Sequence, residues 1–298
     1  MNTKYLSYTL IFILAVIWGS SFILMKKGLE VFRWDQVGSI RMAISFLVLL
    51  PFIIGKTKQI KKADWKFIAL SGLLGNGIPS FLFPLSETRI DSALAGIINS
   101  LTPLFTLVTG LLFFHTRLAA NRLAGVIIGL AGALMIVLGK PGEFDSSNAL
   151  YSLHVVTATL CYAFSVNILR HKLSHIDAIL LTGFAIAFAG IPSGIYLMAT
   201  DFTSRLHEPG ALVSLVSILI LGIFGTAIST FLFNKLIKIS SALFASSVTY
   251  FIPFVAILWG IGFGERIGLM HIAGLVAILG GVYLIKVKSE KRKVKSEK

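Results

Sequence analysis

Charge is scarce in this chain. Asp, Glu, Lys and Arg make up 13% of its 298 residues, about half the roughly 25% of an ordinary soluble domain. Hydrophobic residues reach 56%, and mean hydropathy is +0.87. The length suffices for a water-soluble core, but the polar surface needed to cover one is missing, so lipid must supply the solvent. Acidic residues are scarcest, thirteen against twenty-seven Lys and Arg. All thirteen fall in breaks between apolar segments or in the tail, which predicts no carboxylate at mid-membrane. Cysteine is almost absent: the lone Cys161 excludes an internal disulfide, and no His/Cys cluster offers a metal site. An Asp-rich diphosphate motif and a Gly-x-Ser-x-Gly elbow are missing too. No enzyme, cofactor or metal is therefore expected. The first apolar stretch, Leu10–Ile17, lacks a small-residue cleavage site and is read as a retained helix.

What is present is a succession of apolar runs. About 20 mostly apolar residues are needed to cross a bilayer as a helix. Ten segments qualify, at 7–25, 37–55, 66–86, 92–114, 122–139, 149–169, 179–199, 211–233, 242–263 and 267–286. The expected fold is an all-α integral membrane protein of ten transmembrane helices. The net charge of +14 follows membrane topology rather than nucleic acid, because the basic residues flank apolar segments and crowd the tail. Alternate breaks place 19 Lys and Arg on one side and 7 on the other, with Arg41 left inside the second segment. Both termini should be cytoplasmic. Arg41 lies about four residues, or about 6 Å, into its span, and is expected to snorkel to the outer surface.

The two halves resemble each other. Shifted by 150, Gly72, Gly75, Ile78 and Phe81-Leu82-Phe83 meet Gly222, Gly225, Ile228 and Phe231-Leu232-Phe233. Ala95, Pro103, Gly110 and Phe113 likewise meet Ala245, Pro253, Gly260 and Phe263, and Trp18-Gly19 aligns loosely with Tyr162-Ala163. Five spans per copy is an odd number, so the second copy enters the membrane from the opposite side. Two inverted five-helix repeats result, an arrangement many secondary transporters share. The expected units are 1–140, 141–286 and a basic cytoplasmic tail at 287–298.

Several of these features together resemble the EamA-type drug/metabolite transporters. They are Ile17-Trp18-Gly19-Ser20-Ser21-Phe22, Arg41, Pro103 and Pro253, and Gly264-Glu265-Arg266 before a Gly-rich last helix. The resemblance covers nearly the whole chain. It implies a bacterial-type inner-membrane exporter of metabolites, with some relatives moving amino acids. One departure is visible: His115-Thr116-Arg117 stands where the second half has Glu265-Arg266.

Polar groups inside lipid are costly and face the bundle interior. A midplane site between repeats is expected from Trp18, Ser21, Asn76, Ser80, Asn99, Thr102, Tyr162, Ser165, Thr226, Thr230, Thr249 and Tyr250, with Pro103 and Pro253 as hinges. Gly125, Gly132, Gly274 and Gly281 are read as a packing face. With no acidic residue at midplane, the cavity is expected to be uncharged. The partners are then the lipid bilayer and a small neutral or zwitterionic substrate such as an amino acid; nothing in the sequence sets an oligomeric state. Two other classes share the composition, a membrane-embedded lipid-modifying enzyme and a passive channel or flippase.

Overall fold

The computed structural model describes residues 3–114, 125, 127–132, 146–240, 244–245, 247–265 and 267–296. Among them every regular element is helical. In lipid the backbone must satisfy its own hydrogen bonds, and a helix does so within one segment. Seven helical stretches are long and apolar enough to cross a membrane: Tyr5–Leu29, Trp34–Ile53, Lys62–Glu87, Ser92–Phe114, Ala149–Lys172, Ala178–Met198 and Ala211–Ile239. Two shorter apolar stretches follow, Val248–Gly262 and Leu269–Gly281. The remaining expected span, 122–139, lies mostly outside the described residues, of which 125 and 127–132 are helical.

The helices are α1 (Thr3–Leu29), α2 (Trp34–Ile53), α3 (Trp65–Gly72), α4 (Ile78–Glu87), α5 (Ser92–Asn99), α6 (Thr102–Phe114), α7 (Ser146–Lys172) and α8 (Ala178–Met198). After them come the one-turn α9 (Phe202–Arg205), then α10 (Ala211–Gly222), α11 (Ser229–Ile239), α12 (Ile252–Gly262) and α13 (Leu269–Ser296). Helix α2 packs along α8, α7 along α4 and α6, α10 along α1, and α12 along α5 and α1. Small residues permit these approaches. A methyl group added to Gly72 would meet the backbone of Ala185, and one on Gly222 would meet Ile44 and the backbone of Arg41. The predicted glycine packing face is also present: Gly132 lies against the Gly274 carbonyl, and Gly281 against the Gly125 carbonyl. Large apolar side chains such as Phe12, Leu112, Leu212 and Leu258 stand on the outside, where lipid solvates them.

Two spans are not plain α-helices. Between α3 and α4 the backbone is π-helical over Leu73–Gly77, and between α10 and α11 over Ile223–Ile228. Both begin at residues 150 apart, the offset of the sequence repeat. Two further spans are broken. Helix α5 ends at Asn99 and α6 starts at Thr102; the 3₁₀ turn Ser247–Tyr250 ends just before α12. Pro103 and Pro253 therefore sit in the first turn of a new helix, where the missing N–H costs nothing, rather than inside a continuous one. Their expected hinge role concerns the break before them.

Three carboxylates modify the expectation that acids stay in solvated breaks. Asp35 is buried in the first turn of α2, held by Arg33 at 2.8 Å and by the Tyr196 hydroxyl at 2.5 Å. Asp64 accepts from His175 at 2.9 Å, so His175 is tied to a neighbouring loop. Glu87 ends α4 fully buried, and neither of its oxygens accepts a hydrogen bond. Each is close in sequence to a solvated break, but the packing of neighbouring helices covers it.

Candidate substrate cavity

The two π-helical turns and the two broken helices converge on one cavity of about 110 Å³. A single water needs about 10–15 Å³ by the same measure, so the space holds several waters or a small molecule. Nine of the twelve residues expected at the site line it: Trp18, Ser21, Asn76, Asn99, Thr102, Tyr162, Ser165, Thr230 and Thr249. The other three do not. Ser80 is buried where the α4 backbone passes Gly38 of α2. Thr226 stands behind the wall and accepts a hydrogen bond from Arg41 Nε at 2.6 Å. Tyr250 lies on the 3₁₀ turn outside the lining. In each case a neighbouring residue on the same turn faces the cavity instead, a difference of helix rotation that span prediction does not resolve.

The lining is paired between the halves. Trp18 and Tyr162, Ser21 and Ser165, Phe22 and Val166, Met25 and Leu169, and Arg41 and Ala185 all line the cavity, and each pair differs by 144 in number. Gly75 and Gly225, Phe83 and Phe233, Asn99 and Thr249, and Thr102 and Ile252 also line it, differing by 150. Contacts are exchanged in the same way. The Trp18 ring meets Phe233 edge-on at 5.1 Å, and the Tyr162 ring stacks on Phe83 at 5.9 Å. Ser21 packs at Gly225, and Ser165 at Gly75. Helix α7 thus packs on the first π-turn as α1 packs on the second.

Hydrogen bonds hold the walls. The Trp18 indole N–H donates to the Gly225 carbonyl at 3.1 Å and to Ser229 Oγ at 2.9 Å. A π-helical turn leaves carbonyls off the regular ladder, which makes that partnership available. Ser165 donates to the Ser71 carbonyl at 2.9 Å, and Thr230 to Asn76 Oδ1 at 3.2 Å, joining the two bent spans across the cavity. Asn167 ties α7 to α6 through the Thr106 carbonyl and the Thr109 hydroxyl, both at 2.9 Å.

Two residues outside the expected set matter. Arg41 does not snorkel: it is 7% exposed and lines the cavity. The expectation of an uncharged cavity is corrected accordingly. Arg41 does lie near the end of its span, but α2 crosses Gly222 so closely that the side chain is enclosed by α10 and its π-turn. The other is Glu265, whose carboxylate accepts from Ser92 N at 2.9 Å, Ser92 Oγ at 2.6 Å and Ala93 N at 2.9 Å. It caps the N-terminus of α5 from the far end of α12, where an anion meets the helix dipole. The Gly264-Glu265-Arg266 motif was the available signal for it.

The family model described as "EamA-like transporter family" matches residues 6–138 and again 150–287. The chain is a member of that family. Curated relatives agree with it. A chain named as an uncharacterized transporter from Archaeoglobus fulgidus is 28% identical over 90% of this chain and 94% of its own length. The Escherichia coli inner membrane transporter YedA, also named as uncharacterized, is 25% identical over 92% and 89%. The S-adenosylmethionine/S-adenosylhomocysteine transporter of Chlamydia trachomatis is 25% identical over 84% and 80%. One solved structure superposes with a TM-score of 0.65 over 96% of this chain and 98% of the other, at 15% identity, which speaks for the fold alone. This EamA-family chain is therefore a multi-pass membrane protein of transporter type, its helices embedded in lipid.

Proposed function

We propose that this chain is a secondary transporter with ten transmembrane helices in two inverted five-helix repeats, bounded at 1–140 and 141–286, followed by a basic tail. It carries small neutral or zwitterionic metabolites, amino acids among them, by alternating access at the cavity, and works as an exporter in a cytoplasmic membrane with both termini inside. The observation that carries this reading is the paired lining: nine positions from one half face their counterparts around one space. Near-equivalent halves of opposite orientation allow two near-equivalent states, one open to each side. The lining suits the substrate class. Aromatic walls from Trp18, Tyr162, Phe83 and Phe233 offer stacking, and Asn76, Asn99 and Thr102 offer hydrogen bonds.

Purified chain in proteoliposomes tests the reading. Counterflow of a radiolabelled amino acid that saturates with concentration supports it, and Asn76→Ala or Asn99→Ala should lower that flux at equal incorporation. Non-saturating flux would identify a channel or flippase instead, and chemical turnover of lipid would identify an enzyme.

A further inference from the structure

We infer that Arg41 receives the carboxylate of the carried molecule, so that the cavity selects monoanionic or zwitterionic carboxylates over their uncharged or purely cationic analogues. The inference rests on the transporter reading and replaces its neutral or zwitterionic substrate class with carboxylates; the anion site itself stands on the cavity's geometry.

A guanidinium taken out of water is strongly disfavoured unless an anion and hydrogen bonds replace its hydration. Arg41 is enclosed yet forms no ion pair among the described residues. Its Nε donates to Thr226, and one amino group reaches Met25 Sδ at 3.9 Å. A guanidinium has five N–H donors in a planar fork, so these partners, none of them charged, leave the fork unfilled. Glu87 does not pair with it: its oxygens accept no hydrogen bond, and it lines a different hollow, beside Lys26 and Arg33.

A second, independent feature adds positive potential. Helices α6 and α12 both begin at the cavity, with Thr102 and Ile252 in the lining. The N-terminal end of a helix carries about half a positive charge. The C-terminal end of α5 at Asn99, also in the lining, offsets the α6 end; the α12 end and one fixed cation then face a space whose lining contains no carboxylate. A single anionic group completes that balance, and a carboxylate matches the guanidinium fork. The repeat counterpart of Arg41 is Ala185, so only one half holds the anion. The rest of the substrate is then directed toward the aromatic and amide walls.

The experiment uses the purified full chain in detergent and four probes of one shape: L-phenylalanine, L-phenylalaninamide, phenylpropionate and phenethylamine. Binding is read as the concentration dependence of the melting temperature, since a ligand of the folded state raises it. The two carboxylates should bind wild type at least tenfold more tightly than the amide and the amine. Arg41→Gln should erase that preference while leaving a folded, monodisperse protein, and Arg41→Lys, which keeps charge without the fork, should retain part of it. Glu87→Gln should leave it in place. Equal binding of acid and amide to wild type, no binding of either carboxylate, or persistence of the preference in Arg41→Gln would overturn the inference. So would its loss in Glu87→Gln, which would make Arg41 the partner of that carboxylate. An Arg41-dependent preference without counterflow in proteoliposomes would leave the anion site standing and remove the transporter reading instead.

Discussion

Glu265 offers a quantitative test of how the broken helices are held. Its carboxylate serves three donors at the start of α5, two backbone N–H groups and the Ser92 hydroxyl, at 2.6 to 2.9 Å. Removing an ordinary capping side chain costs about 0.5–2 kcal/mol. Here the acceptor is charged, and hydrogen bonds to charged groups contribute about 1.5–3 kcal/mol each. Water and the mobile Ser92 hydroxyl recover part of the loss, so Glu265→Ala should cost about 2–4 kcal/mol by the same figures. Glu265→Gln keeps the shape but removes the charge and turns an N–H₂ toward two donors; it should lose about half as much. With roughly 2–4 °C per kcal/mol for a chain somewhat smaller than this one, the alanine variant should melt about 5–10 °C lower. The assay is the apparent melting temperature in one detergent at a fixed scan rate, because unfolding of such proteins is often irreversible. Melting of Glu265→Ala within about 1 °C of wild type would show that the interhelical cap contributes little, and would refute the reasoning.

Single cysteines at Lys58 and Glu208, both exposed, placed in a Cys161→Ser background, should react from opposite sides with an impermeant maleimide; extracellular labelling at 58 would refute the proposed orientation. Gly72→Ala should destabilise by about 1–3 kcal/mol or more through overpacking against the Ala185 backbone, whereas Gly262→Ala, with open space around it, should leave the melting temperature unchanged. Comparable losses at both positions would argue that the close approach is not what Gly72 provides. Counterflow should proceed without an imposed pH gradient; a strict requirement for one that Glu87→Gln abolishes would make the buried Glu87 a proton carrier and refute exchange down the substrate's own gradient.

Much of the cavity was legible because polar residues stand out in lipid-facing sequence. Asn76, Asn99, Trp18 and Tyr162 were found that way, and all four line the space. Ser80, Thr226 and Tyr250 share their turns but face elsewhere, since one residue's step rotates a helix by about 100°, finer than the precision of a hydropathy profile. Arg41 and Glu87 were misplaced for another reason. Their depth in the span is that of a snorkelling or solvated group, and only the helices packed over them turn depth into burial. The π-turns gave no sequence signal beyond the glycines within and beside them.

The sequence by itself determined the solvent and the plan: lipid, because polar residues are too few to cover a core, and two related halves, because glycines and prolines recur at one offset. These are sums and periodicities along the chain, and they survive any rotation or tilt of the helices. Tertiary structure alone decided which side chains share the cavity, that one cation is enclosed there, and that Glu265 caps a helix more than 170 residues away. Those outcomes depend on helix rotation, depth and closest approach. They are set where Gly72 meets Ala185 and Gly222 meets Arg41, by contacts between segments that no local stretch of sequence contains.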